Sequence, residues 1–253
     1  MAPDIRVTLR PTSTDENLNR DLRVVCIEVI SVCREIIGSA PALGWKPFVI
    51  QEAIDGLPRA CLNGLPKEYL VNVTDLHSRD YSRLSFQLGH ELGHIYADPN
   101  WANDFVEAIC TGTSFACLSA LADKWATNPP YSNWRSFSPK FEEYRQREIE
   151  RAKATVRLPP EISLGQWFRT SLKEAINTGR FSRDHEAICA IEIADLLISY
   201  LTSCSVITKL GEASRSPNTN FDLWHQLATY QEVPLVEALR FLFEDAFGIR
   251  NST

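Results

Sequence analysis

Residues 85–110 read SFQLGHELGHIYADPNWANDFVEAIC and hold two of the chain's five histidines, His90 and His94, four positions apart with Glu91 between them. On a helix, positions i and i+4 lie one above the other with Cβ atoms about 5–6 Å apart, so imidazoles at that spacing aim at one point. Glu91 lies one residue round the wheel from His90. That is too far round for a natural third ligand and near enough to reach a water held at the same point. His-Glu-x-x-His on a helix is the arrangement in which Zn²⁺ acidifies a water and the glutamate takes its proton. Gly89 and Gly93 precede the two histidines. Each costs about 1 kcal/mol relative to alanine inside a helix, so close backbone approach, not local propensity, accounts for them. The plainer alternative is tight helix packing around two hydrogen-bonded histidines.

A catalytic zinc needs a third protein ligand and one open position. Asp98, Asp104 and Glu107 follow within reach. Asp98 precedes Pro99, where aspartate ordinarily caps or makes an Asx turn. Asp104 falls in the first turn of the next helix, where the unpaired amides and the dipole favour a carboxylate. Glu107 is the only charged residue from Phe105 to Ala122. The helix around it is buried on nearly all sides, and a carboxylate there must be paired, hydrogen-bonded or metal-bound. His90, His94 and Glu107 are therefore the expected metal ligands, with Glu91 as general base.

The spacing predicts a helix from about Asp80 to Ala97, capped by Asp80 or Ser78 and stopped by ADPN, because Pro99 cannot continue the ladder. A second helix starts near Asn100 or Asn103 and runs to about Trp125. So short a connection implies an antiparallel hairpin, which returns Glu107 towards the histidines. Upstream, IRVTLR is a short extended start, and residues 16–38 carry helical apolar spacing that ends at Gly38 and Pro41. PFVIQEAI, RACLNG and EYLVNVT read as strands separated by the turn signals DGLP and NGLP. After the loop ATNPPYSNWRSFSPK, KFEEYRQREIERAKATV, SLGQWFRTSLKEAI, DHEAICAIEIADLLISYL and PLVEALRFLFEDAF all read as helical. The expected class is α+β: a small antiparallel sheet packed on the helical hairpin in residues 1–127, then an all-helical region, 128–253.

Composition limits the partners. The net charge is −6 and no long Lys/Arg run appears, which argues against nucleic acid. No apolar run of signal-peptide length opens the chain, and none approaches the roughly 20 residues of a membrane span, so a cytoplasmic protein without a membrane partner is expected. Seven cysteines, Cys26, Cys33, Cys61, Cys110, Cys117, Cys189 and Cys204, show no CxxC spacing and read as buried free thiols.

SFQLGHELGH followed by a Glu-bearing helix of small residues resembles the gluzincin metallopeptidases, and the spacing from His94 to Glu107 looks most like the small bacterial members related to the ImmA/IrrE group. The resemblance covers roughly residues 45–122. It implies zinc on His90, His94 and Glu107, Glu91 as general base, and hydrolysis of an extended protein or peptide segment. It also implies a cleft lined by a sheet edge, EYLVNVT or RACLNG, that pairs with substrate backbone. One departure stands out. Thermolysin-like gluzincins carry an aspartate four residues after the ligand glutamate to orient a ligand histidine, and this chain has Thr111. The support it would give is weaker here or comes from elsewhere.

The transition-state partner such enzymes draw from outside the two-helix core has no motif here; His185, His225, Tyr131 and Tyr230 are candidates by chemistry alone. DHEAIC lacks a second histidine and reads as a surface helix start. The rival to an enzyme is a metal-stabilised binding or regulatory module. Glu91 argues against it, since a structural metal has no evident use for that residue.

Overall fold

A computed structural model gives the architecture and describes residues 5–10, 13–61 and 67–248. Helix α1 (Glu16–Ile37) starts where the Asp15 carboxylate accepts the Asn17 and Leu18 N–H groups, and it ends at Gly38, whose φ of 72° suits a residue without Cβ. Its Leu22, Val25, Val29, Cys33 and Ile36 bury one face against the rest of the fold. Strands β1 (Val7–Leu9), β2 (Phe48–Glu52), β3 (Arg59–Cys61) and β4 (Tyr69–Val73) form one sheet in the order β1-β2-β4-β3.

The class is α+β, but the sheet is mixed, not antiparallel. β1 runs parallel to β2 and β2 parallel to β4; only β3 and β4 are antiparallel. Two causes explain the difference. α1 is the crossover between β1 and β2, and a helical crossover joins parallel strands. The turn at Asp55–Gly56 does not close a hairpin between neighbours, because β4, with Tyr69, Val71 and Val73 buried, takes the interior place. That leaves the short β3, with its charged Arg59, at the edge, a common way of protecting sheet edges. Of the two runs expected at the edge, RACLNG holds it through β3, and EYLVNVT is interior. The NGLP turn lies outside the described residues.

Helix α2 (Tyr81–Ala97) is capped by Asp80, whose carboxylate accepts the Arg83 N–H at 3.1 Å. Helix α3 (Asp104–Thr127) is capped by Asn103, which accepts from Phe105 and Val106. The two pack antiparallel, Gly93 against Cys110 and Gly89 against Ser114 and Cys117. By length and composition α3 does suffice to cross a membrane, contrary to the sequence expectation, yet 78% of its apolar window is buried inside the protein. It lies against α1, α2, α4 (Ser138–Val156) and α7 (Arg183–Ser199).

Between α4 and α7 the chain forms α5 (Leu164–Trp167) and α6 (Lys173–Asn177), joined by a wider turn at Phe168–Leu172. After α7 come a 3₁₀ segment (Leu201–Lys209), α8 (Leu210–Ala213), α9 (Phe221–Leu227) and α10 (Val233–Phe247). One continuous apolar core reaches from Val7 to Phe247 and takes in residues of both halves. At Gly112, α3 meets Ile193 of α7, where an added Cβ would fall 2.3 Å from Cγ2.

The α2–α3 contact yields a stability prediction. A Cβ on Gly93 would lie 2.7 Å from the Cys110 Cα, a backbone atom that cannot swing aside, whereas one on Gly165 meets nothing within 4 Å. Removing a helical glycine gains about 1 kcal/mol, and overpacking a core costs about 1–3 kcal/mol. Gly93→Ala should therefore be net destabilising by up to about 2 kcal/mol in urea denaturation, and Gly165→Ala neutral or slightly stabilising.

Candidate metal centre

The hairpin brings the three expected ligands together. His90 Nε2 lies 3.2 Å from His94 Nε2 and 3.2 Å from Glu107 Oε2, and His94 Nε2 lies 3.4 Å from the same oxygen. Ligand atoms held 2.0–2.2 Å from a tetrahedral cation stand about 3.3–3.6 Å apart, so the observed triangle has the size of such a site. Three lone pairs aimed at one point repel without a positive charge between them, and a single shared proton satisfies only two. The donor set fits a metal ion, and it is the only group of three such side chains so placed among the described residues.

The other acidic residues act as their positions suggest. Asp98 adopts φ 76° and its Oδ1 accepts from the Asn100 backbone and side chain, an Asx turn that ends α2. Asp104 is an exposed residue in the first turn of α3 and outside the triangle. Glu107, one turn in, faces the histidines. Burial alone would raise its pKa, but hydrogen bonds from His90 and His94 and their charge outweigh this and hold it well below the usual carboxylate range. Burial works against a charged His94, yet its pKa lies well above the ordinary value. The Cys110 thiol and the Glu107 carboxylate raise it against that burial, and the thiol is itself pushed up to about 11 by burial.

Glu91 points elsewhere. It is 4% exposed, sits outside the triangle, and lines the same cleft. Burial raises its pKa, opposed by His90, by His94 and by the nearby Ala60 backbone N–H. The carboxylate thus lies beside edge strand β3. Gln87, one turn earlier on α2, fixes the helix against the end of β4: its Oε1 accepts the Thr74 N–H and its Nε2 donates to the Thr74 hydroxyl, both at 2.7 Å.

The cleft measures about 560 Å³. One wall is β3 and the turn before it, Gly56–Ala60; the floor is α2 and α3; the opposite wall comes from the helical half, through Tyr144, Glu148 and Arg151 of α4 and Arg183, Glu186 and Ala187 of α7. Arg151 ties these helices together by pairing with Glu148 at 3.0 Å and with Asp184 at 2.9 Å. Sequence reasoning missed this wall. DHEAIC does begin a helix, but Glu186 lines the cleft, its pKa pushed up to about 7 by burial, reinforced by Glu107 and opposed by Arg183.

None of the four candidate transition-state partners lines the cleft. His185 stacks on Trp167, His225 pairs with Glu237, Tyr131 packs on Trp134, and Tyr230 is exposed. Tyr144 and the arginines Arg59, Arg83, Arg151 and Arg183 are among the hydrogen-bond donors there. Of the cysteines, Cys26, Cys33, Cys110, Cys117, Cys189 and Cys204 are buried and unbridged, and the side chain of Cys61 lies outside the described residues. Comparison with known protein families, curated proteins and solved structures finds no match to this chain.

The triangle makes a direct prediction. Metal-stripped protein titrated with Zn²⁺ should take up one ion per chain, with a rise in Tm because the folded state alone binds it. Uptake should vanish in His90→Ala/His94→Ala and weaken sharply in Glu107→Ala. Asp104→Ala should keep it, and loss of metal in that variant with retention in Glu107→Ala would reverse the ligand assignment.

Proposed function

We propose that the chain is a zinc-dependent, gluzincin-like peptidase that hydrolyses peptide bonds in an extended protein or peptide segment, and that it works in the reducing cytoplasm. Two imidazoles and a carboxylate at tetrahedral spacing suit zinc, and six unbridged thiols suit the compartment. The observation that carries the proposal is Glu91, a buried carboxylate in the cleft beside the three ligands and outside them. A metal serving structure alone gives no reason to bury a carboxylate there, at a cost in solvation, with its pKa raised.

When bound, the cation supplies Lewis acidity, lowering the pKa of a water and polarising a carbonyl. The protein's own residues supply the rest. Glu91, its basicity increased by burial, accepts the proton of the attacking water and hands it to the departing amine nitrogen. β3 has β4 on one side and no strand on the other among the described residues, so its outer edge can pair with an extended backbone passing the site. The wall from α4 and α7 closes the far side and offers Tyr144, Arg151 and Arg183 to the substrate's carbonyl groups.

The test is Glu91→Gln. An amide cannot accept the water's proton, so the variant should keep the fold and the zinc and lose hydrolysis by at least about 10²-fold. Wild type and variant, each loaded with zinc, are incubated with a library of unstructured peptides and read by mass spectrometry. Cleavage by wild type alone supports the peptidase. Equal cleavage by both identifies a contaminant, and silence from both favours a non-catalytic module.

A further inference from the structure

His90 has a further ring partner on α3. The Thr111 Oγ1 lies 3.2 Å from His90 Nδ1. Beside it, Cys110 packs against α2 at Gly93, next to His94 in the chain. Thr111 follows Glu107 by four positions, so one helical turn carries one ligand and the backing of another. The approach is sterically built: only a residue without Cβ at position 93 lets Cys110 reach this place, since an added Cβ would come 2.7 Å from its Cα and 3.0 Å from its Sγ. Thr111 is 4% exposed, which excludes bulk water from competing for His90.

We propose that Thr111 is the positioning residue of this metal site, an uncharged hydroxyl that orients His90 where related chemistry uses a carboxylate. With both Nε2 atoms turned to the shared point, the metal-binding form of His90 carries its proton on Nδ1, and Thr111 Oγ1 accepts it. A carboxylate only accepts, so it would lock that tautomer and raise the ring's basicity. A hydroxyl also donates, so it serves either tautomer, and metal entry selects the productive one. The site is therefore oriented without a second negative charge behind it, and its affinity depends on the Thr111 hydroxyl. The departure from the thermolysin-like pattern at this position is a substitution of acceptor, with the support coming from Thr111 itself.

The inference rests on reading the triangle as a metal site, and the test separates the two. Zn²⁺ affinity is measured by competition with a chelator, and the visible spectrum of the Co²⁺-loaded protein reports ligand geometry without reference to activity. Thr111→Val keeps the shape and removes the hydroxyl; it should weaken Zn²⁺ binding about 10–100-fold and alter the Co²⁺ spectrum, while Thr111→Ser stays within about threefold of wild type. Thr111→Val binding within about twofold of wild type with an unchanged spectrum would overturn the proposal. If Thr111→Val lacks a cooperative unfolding transition, Thr111→Ala and Thr111→Ser decide: loss in alanine with retention in serine supports it, and equal affinity overturns it. Wild type that binds no Zn²⁺ would overturn the metal reading and this inference together.

Discussion

Contact between α2 and α3 at bare backbone distance is the constraint on which the site depends. At Gly93 and Gly89 the two helices meet with no side chain of α2 between them, so α3 presents Cys110 and Ser114 directly to its partner's backbone. Only this separation sets Glu107 Oε2 3.2–3.4 Å from both imidazoles. Widening the helices by one methyl would draw Glu107 away from the imidazoles. The glycines weaken α2 as an isolated helix, and burial of the residues around them in the shared core offsets that.

The placement of charge follows from that packing. α3 is apolar enough that one carboxylate near its start must find a partner, and it finds two histidines on the helix beside it. Glu91, on the same helix, lines the cleft beside β3, where burial dominates and the Ala60 backbone N–H opposes it only in part. Two glutamates on facing helices thus shift in opposite directions, Glu107 down through the imidazoles that face it and Glu91 up through burial. That division of roles needs only that one faces the imidazoles and the other faces the sheet.

Much of this was legible in the sequence where the causes are local. Asp80, Asn103 and Gly38 mark helix ends because capping involves residues two to four positions apart, and the observed bounds fall there. The triangle was legible because an i,i+4 pair and one lone carboxylate in an apolar helix leave few arrangements. Strand order was not, since the insertion of β4 between β2 and β3 depends on pairing between distant segments, and turn residues carry no record of which strand takes the interior place. The α4 and α7 wall was hidden for the same reason. EEYRQREIER reads as helical with no sign of a cleft, and only the packing of α4 and α7 on α3 turns Tyr144, Arg151 and Glu186 towards it.

Thr111 shows how a departure from a pattern and its explanation live at different levels. In the sequence it is an absence, a missing carboxylate; in the fold it is a hydroxyl at hydrogen-bond distance from the ring the carboxylate would have held. Geometry permits the exchange because α3 already stands close. A hydroxyl projects less far than a carboxylate, so it reaches His90 only when the helices are at glycine distance. The small residues that make α3 look featureless, Ala108, Cys110, Thr111, Gly112 and Ser114, are then what lets the ligand, its orienting contacts and the α7 packing share one turn and a half of helix.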